Sequence, residues 1–254
     1  MSHDQHQALA GKVAVITGAS RNIGRAIALA LAAEGAAIVV NGRSDEAAAR
    51  AVVEEITTRG GGAIAHLADV TDEAAVNGLA DAAVERFGRI DILVNNAAVR
   101  RPRPFNELSL AEWREITGII LDGAFLCAKA CVPHMIAASG GAIINIGGSS
   151  AHLGNRNRAH VATAKAGLEG LTKALAVEFA DYGITVNCVV PGTIGTVRGE
   201  SAAAPGERPH GARALIKRLG RPEEVAALVR HLCLPDAAYI TGQSIHVSGG
   251  AFLT

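Results

Sequence analysis

The chain has 254 residues, of which 49% are hydrophobic, so a single domain can bury a sizeable core. Its 24 Lys and Arg residues balance its 24 Asp and Glu residues, which gives no global field for nucleic acid or an anionic membrane. The four cysteines lie in apolar segments, as reduced thiols do, and we recognise no apolar run of about 18 residues. We therefore expect a cytoplasmic protein with neither a nucleic-acid nor a membrane partner.

Short apolar runs alternate with longer helical patterns along the chain. The chain starts with a polar stretch, so we expect residues 1–10 to form a flexible tail before a single domain at 11–254. The apolar runs predict strands at Lys12–Thr17, Ala37–Asn41, Ala63–Leu67, Ile90–Asn95, Ala142–Ile146, Thr185–Val190 and Gln243–Val247. The intervening patterns predict helices at Ile23–Glu34, Asp45–Arg59, Asp72–Phe87, Leu110–Ser139, Ala159–Tyr182 and Pro222–Cys233. This alternation predicts an α/β fold with a parallel sheet and helices on both faces.

A glycine-rich segment, Thr17–Gly24, joins the first strand to the first helix. Gly18 can adopt a backbone conformation closed to other residues, and Gly24 lets the helix pack close to the sheet. The N–H groups and the dipole of the helix start favour a pyrophosphate there. A plain tight turn is the alternative, but the position between first strand and first helix indicates dinucleotide binding.

Cofactor selectivity is expected at the end of the second strand, where the sequence reads Asn41-Gly42-Arg43-Ser44. A carboxylate there would bind the ribose hydroxyls of NAD(H), whereas an arginine accepts the 2′-phosphate of NADP(H). No acid is present, and Arg21 adds a second cation. Both arginines could instead be solvated surface residues, but the pattern favours NADP(H) over NAD(H).

Further motifs follow in a recognisable order. Asp69-Val70 comes after the third predicted strand, Asn95–Ala98 after the fourth, and Pro191–Thr193 after the sixth. With Thr17–Gly24, these segments resemble the motifs of the short-chain dehydrogenase/reductase family, although Asn22 replaces the middle glycine of the first motif and Ala98 the glycine of the Asn-Asn-Ala-Gly motif. The resemblance covers nearly the whole chain. It implies a Rossmann-like, doubly wound sheet of seven strands, usually assembled as a homotetramer.

The resemblance also implies a set of cofactor-binding residues. These are Gly18, Ser20, Arg21, Asn22, Ile23, Gly24, Arg43, Ser44, Asp69, Val70, Asn96, Ala97, Ala98, Ile146, Lys165, Pro191, Gly192 and Thr193.

The family's catalytic residues are mostly absent. Its lysine matches Lys165, but Val161 occupies the tyrosine position, Gly148 the serine position and Ile120 the asparagine position. Since the tyrosine normally exchanges the proton of the substrate oxygen, a different group must do so if the protein is an enzyme. Lys165 could still bind the nicotinamide ribose.

Two neighbouring residues are candidate substitutes for the missing groups. His160 precedes Val161 and is suited to proton transfer near neutral pH, but it lies about 140° from Lys165 around the helix. Its alternative role is a subunit or surface contact. Ser149 follows Gly148 and could bind the substrate oxygen or cap a loop, and His152 is a weaker candidate. The predicted catalytic set is therefore Lys165, Ser149 and His160.

Three other patterns have structural alternatives. Cys127, Cys131 and His134 share a helical face that could bind zinc, but no fourth ligand is evident and we expect packing and no metal. Residues 100–104 contain three arginines at the carboxyl edge of the sheet, where they could meet an anionic substrate or form a solvated loop. The irregular stretch Thr193–Ala212 could be a mobile loop over the site.

Three functions fit these observations. The first is an NADP(H)-dependent oxidoreductase for a small carbonyl, alcohol or conjugated enone. Because some relatives that reduce enoyl groups depart from the tyrosine pattern, the resemblance is compatible with this function. The second is an inactive NADP(H)-binding sensor or partner subunit, and the third a lyase using the same pocket. Wide apolar faces on the predicted helices Leu110–Ser139 and Ala159–Tyr182 favour self-association.

Overall fold

Seven parallel strands organise the chain. The computed structural model describes residues 7–196 and 214–253, and within them the strands are β1 (Val13–Ile16), β2 (Ala37–Gly42), β3 (Ala63–Leu67), β4 (Ile92–Asn95), β5 (Gly141–Ile146), β6 (Ile184–Pro191) and β7 (Ser244–Val247). They form one sheet in the order β3-β2-β1-β4-β5-β6-β7. Strands β2 and β3 are added on one side of β1 and strands β4 to β7 on its other side, so the strand order reverses between β1 and β4. This confirms the predicted Rossmann-like, doubly wound fold.

Helices cover both faces of this sheet. They are α1 (Asn22–Ala33), α2 (Glu46–Thr58), α3 (Glu73–Phe87), α4 (Leu110–Thr117), α5 (Gly123–Ala137), α6 (Ser150–Leu153), α7 (Ala159–Phe179) and α8 (Pro222–Cys233). Alternate side chains of β1 point to opposite faces: Ala14 and Ile16 pack with α1, α2 and α8, whereas Val13 and Val15 pack in the cluster of α3, α5 and α7. The nearly continuous apolar composition of the central strands follows from this double coverage.

The predicted helix Leu110–Ser139 differs from the observed structure. The helical run is continuous to Ala137, but a π-helical turn at Gly118–Asp122, packed against α7, lies between α4 and α5. We also expected no apolar run of membrane-spanning length. By length and composition alone, the helical run Leu110–Ala137 is long and apolar enough, with more than half of its apolar window buried inside the protein.

The boundaries of the domain also differ slightly from the prediction. Leu9 is buried, and its N–H donates to the carbonyl of Glu34 at 2.9 Å. The packed part of the chain therefore includes residues that we assigned to a flexible tail. The short helix α6 is a further element that the sequence analysis missed. Most of the predicted loop Thr193–Ala212 lies outside the described residues, which stop at 196 and resume at 214.

Candidate functional site

The glycine-rich turn adopts a conformation that its residues require. Gly18 has φ of +60° and Asn22 has φ of +50°. Asparagine tolerates this left-handed region better than most residues, which explains how it replaces a glycine at position 22. A Cβ on Gly24 would lie 2.3 Å from the carbonyl oxygen of Gly18, so only glycine fits there. The first turn of α1 contains no acidic side chain, and its dipole therefore favours an anion.

Two asparagines fix this turn from either side. Asn41 accepts a hydrogen bond from Gly18 N–H at 3.3 Å, and its amide donates to carbonyl groups near the ends of β2 and β3. The Asn96 amide donates to the carbonyls of Thr17 and Gly18, each at 2.9 Å. This role of Asn41 was not predicted, although a polar residue at the end of an apolar strand was a usable signal. Together these bonds preorganise the turn before any ligand arrives.

The predicted selectivity residues lie at the same carboxyl edge of the sheet. Arg21, Arg43 and Ser44 are exposed, and a Cβ on Gly42 would come within 3.8 Å of Ser20 Oγ. Asp69 is half-buried. Hydrogen bonds from the backbone and hydroxyl of Thr71, with a contribution from the charge of Arg43, lower the pKa of the Asp69 carboxyl. Arg43 therefore lies close to the residue predicted to contact adenine.

The remaining predicted cofactor residues end neighbouring strands. Ala97 N–H donates to the Thr17 hydroxyl at 3.0 Å. A Cβ on Gly192 would lie 2.8 Å from Ser248 Cα, which requires a small residue there. The other predicted residues follow the same arrangement. Ile23 lies in α1, Val70 follows β3 and Ala98 follows β4, whereas Pro191 ends β6 and Thr193 follows it. Ala98 is not among the described residues with positive φ, so the family's glycine is not needed at this position.

Lys165 lies in the centre of the candidate site. It is only 4% exposed, and its Nζ donates a hydrogen bond to the carbonyl oxygen of Ile146 at the end of β5. Burial, and secondarily the nearby charge of Arg100, lower the pKa of Lys165 to about 7. A lysine with this pKa is present as both ammonium and neutral amine near neutral pH, so it can donate or accept a proton.

A series of buried side-chain hydrogen bonds fixes α7 to the sheet. Asn95 donates to Asn145 at 2.9 Å, and Asn145 donates to the Thr172 hydroxyl, also at 2.9 Å. Because Asn95 and Asn145 are register partners on β4 and β5, the link joins two strands and one helix. It fixes the helix that carries Lys165, and no single-residue motif in the sequence revealed it.

Apolar side chains fill two positions that the family gives to polar groups. Val161 and Ile120 are buried in one cluster with Ile116, Ala164 and Leu168, between α4, the π-helical turn and α7. The third altered position is more open: a Cβ on Gly148 would meet only Ser150 Oγ at 3.7 Å and Lys165 Cγ at 3.8 Å. One apolar cluster therefore contains both positions at which the resemblance implies tyrosine and asparagine.

The structure separates the two candidate substitutes. Ser149 is buried at the start of α6, and its hydroxyl does not cap that helix. His160 is fully buried, so the alternative of a surface contact is wrong. Its Nε2 lies 3.0 Å from the carbonyl oxygen of Arg101 and must donate to it, since a carbonyl only accepts. Burial lowers the pKa of His160, which keeps the imidazole neutral.

The other histidine and the cysteines occupy separate surroundings. The ring of His152 lies 4.6 Å from that of His246, and its Nε2 lies 2.8 Å from Glu169 Oε1. Cys127 and Cys131 pack in the apolar cluster beneath α5, and burial raises the pKa of Cys127 to about 12. Within the described residues, no three His, Cys, Asp or Glu side chains are grouped as metal ligands would be.

The strand order and the glycine turn together define a dinucleotide-binding protein of the Rossmann class. A family model described as enoyl-(acyl carrier protein) reductase matches residues 18–251. The chain belongs to the short-chain dehydrogenase/reductase family, as the sequence predicted.

Similar proteins of this family cover almost the whole chain. The chain is 44% identical to a 3-oxoacyl-[acyl-carrier-protein] reductase of Synechocystis sp., over 96% of this chain and 98% of the relative. It is 39% identical to the (2S)-[(R)-hydroxy(phenyl)methyl]succinyl-CoA dehydrogenase subunit BbsD of Thauera aromatica, over 95% and 97%. The crystal structure of a dehydrogenase/reductase from Sinorhizobium meliloti 1021 superposes with a TM-score of 0.91 at 36% identity, with 98% of each chain covered.

Proposed function

We propose that the protein is an NADP(H)-dependent oxidoreductase that acts on a small carbonyl, alcohol or conjugated enone, with Lys165 as the proton-exchanging group. The fixed turn around Gly18 suits a pyrophosphate, and a side chain at Gly24 would collide with the backbone of this turn. Arg43 and Arg21 suit a 2′-phosphate, and the end of β2 offers no carboxylate to NAD(H). We also propose a cytoplasmic homotetramer.

The position and pKa of Lys165 carry this proposal. The lysine is retained although its tyrosine partner is absent, and it is held at the carboxyl end of β5 by Ile146. Its pKa of about 7 makes it both an adequate acid and an adequate base near neutral pH. A lysine kept only to bind ribose hydroxyls would not need this property.

Several residues of this chain have separate roles in the proposed reaction. When bound, the nicotinamide supplies or accepts a hydride. The Lys165 ammonium donates a proton to the oxygen that becomes negative, whether this is a reduced carbonyl or the enolate left after addition to a C=C bond, and it becomes a neutral amine. Ser149 donates a hydrogen bond to the same oxygen. The apolar cluster around Val161 and Ile120 limits water at the reacting centre.

We assign His160 a positioning role in this site. Its Nε2 holds the backbone of the loop after β4, and the Arg103 N–H donates to the carbonyl of Asn157 at 2.8 Å in the same region. The imidazole therefore fixes the loop against the start of α7. Since Nε2 is bonded to Arg101, and the buried Nδ1 has no hydrogen-bond partner among the described residues, we assign the direct proton transfer to Lys165 instead.

The experiment follows the loss of NADPH absorbance with a panel of ketones, aldehydes and enones. We expect turnover by the wild type and a fall in kcat of at least about 100-fold for Lys165→Gln, the contribution of a general acid. Lys173→Gln is the matched control, because Lys173 is exposed on the same helix. Equal kcat values for the two variants would refute the role of Lys165.

A second function is favoured by the packing of Val161 with Ile120. This cluster removes two polar groups at once, as expected of a cofactor-binding subunit without redox chemistry, and the name of the Thauera relative describes a subunit. Tight NADPH binding without turnover, with activity only in the double variant Gly148→Ser, Val161→Tyr, would support this function against the first.

A further inference from the structure

The loop after β4 contains three arginines, and their surroundings differ. The guanidinium of Arg101 pairs with Glu115, and that of Arg103 pairs with Glu112 at 2.9 Å. Arg100 is exposed at the carboxyl edge of the sheet, and no carboxylate of the described residues pairs with it. The same loop therefore uses two arginines for structure and leaves the third available to a ligand.

Backbone contacts fix this loop against the start of α7. His160 donates to the carbonyl of Arg101, and Arg103 N–H donates to the carbonyl of Asn157. Arg100 is thereby held close to the helix that carries Lys165, close enough for its charge to lower the pKa of that lysine.

The electrostatics around Arg100 are unfavourable in the protein alone. The charge of Arg100 acts on Lys165, and the charge of Arg158 acts on Arg100. Partial loss of hydration, and secondarily the charge of Arg158, lower the pKa of the Arg100 guanidinium. Cations gathered beside a reaction centre repel one another, and an anionic group of a ligand relieves that repulsion.

We propose that Arg100 binds a carboxylate of the substrate beside Lys165, so that the protein acts on a short oxo-carboxylate or its hydroxy or unsaturated counterpart. This inference rests on the proposed function, because it names the substrate class of the same site. The planar guanidinium matches a carboxylate with two parallel hydrogen bonds. Lys165 then faces the oxygen of the reacting carbon, a few bonds from the carboxylate.

The test compares acids with their methyl esters, which differ in charge and little in shape. Calorimetric titration of the protein saturated with NADP⁺ uses pyruvate, acetoacetate and levulinate, each against its ester. We expect at least one acid to bind about tenfold or more tightly than its ester, and Arg100→Gln to abolish that preference. Arg100→Lys keeps the charge without the planar fork, and we expect it to retain part of the preference.

Arg101→Gln is the matched control, since it removes the same charge from the same loop at a side chain that pairs with Glu115. The proposal is overturned if the wild type binds no acid more tightly than its ester, or if Arg101→Gln loses the preference as fully as Arg100→Gln. NADPH titration of the wild type reports separately on the proposed function. If NADPH does not bind, the acid and ester titrations without cofactor still decide whether Arg100 forms a carboxylate site.

Discussion

Lys165 is an unusual residue in energetic terms, because it is buried and no carboxylate of the described residues pairs with it. The hydrogen bond to Ile146 satisfies one of its three protons, and the charge of Arg100 opposes its own. Enzymes lower lysine pKa values by burial and neighbouring cations, and both causes act here. The residue therefore costs stability in the charged state and gains proton-transfer ability near neutral pH.

Removing this lysine gives a pH-dependent change in stability. The folded protein releases the Lys165 proton near its pKa of about 7, whereas the unfolded chain keeps it until about pH 10. Between these values the unfolded state binds more protons, so the lysine makes the free energy of unfolding rise with pH. Lys165→Met should therefore gain most in Tm, relative to wild type, below about pH 7, and this advantage should shrink as the pH rises.

Thermal unfolding of the cofactor-free protein across this pH range measures the effect. The lost bond to Ile146 costs about 1 kcal/mol of stability at every pH. The test is therefore how the Tm difference between variant and wild type changes with pH, and the size of that difference at one pH does not decide it. Lys173→Met is the control with a flat difference, since Lys173 is exposed. A flat difference for Lys165→Met as well would show that Lys165 titrates normally.

Arg43 gives a second prediction at the scale of single residues. Loss of a charge-assisted bond to the 2′-phosphate should weaken NADPH binding about tenfold or more in Arg43→Ala. NADH lacks that phosphate, and its affinity should change less than about twofold. Fluorescence titration measures both. Arg50→Ala, in which the lost partner is Glu46 on the exposed face of α2, should leave both affinities unchanged; equal losses for both cofactors in Arg43→Ala would contradict NADP(H) selectivity.

The role of His160 is tested by separating KM from kcat. His160→Ala removes the bond to the Arg101 carbonyl and loosens the loop that carries Arg100. We expect KM to rise several-fold with kcat changed by less than about threefold, because only ground-state binding is lost. His160→Gln retains a donor and should recover part of the KM. Loss of kcat with unchanged KM in His160→Ala would indicate a direct catalytic role instead.

At the scale of elements, sequence patterns predicted the features that depend on interactions between residues close together in the chain. The strands and the glycine turn were predictable because the apolar runs and Gly18 act within a few residues. The π-helical turn at Gly118–Asp122, which packs against α7, was not predicted, because no local pattern distinguishes it from the α-helix on either side. The same holds for the chain from Asn95 to Thr172, which joins residues far apart in sequence, and for the burial of His160.

The apolar cluster between α4 and α7 gives a prediction about stability. Val161→Tyr inserts a larger side chain among Ile116, Ile120 and Leu168 and should cost about 1–3 kcal/mol. Gly148→Ser should change stability by less than about 0.5 kcal/mol, since its Cβ makes only ordinary contacts. Urea unfolding at constant m-value measures both. A fully stable Val161→Tyr protein would show that the cluster contains room for the missing tyrosine.

At the scale of the whole molecule, exposed apolar side chains on two helices argue for self-association. Phe125 on α5 is 50% exposed and Val177 on α7 is 83% exposed. Both helices lie on the face of the sheet opposite α1, so an assembly through them leaves the glycine turn of each chain accessible. Apolar surface of this kind is characteristic of an interface between subunits.

We predict a homotetramer that the double variant Phe125→Glu, Val177→Glu converts to smaller species. Burying a charge in each copy of an apolar interface opposes association, whereas the conservative pair Phe125→Tyr, Val177→Thr should retain four chains. Light scattering after size exclusion gives the masses. Because the β1–α1 turn lies on the other face, the dissociated protein should still bind NADPH, which separates a lost interface from a lost fold. A wild-type mass of one chain would contradict the assembly and would leave the exposure of Phe125 and Val177 without a partner subunit to explain it.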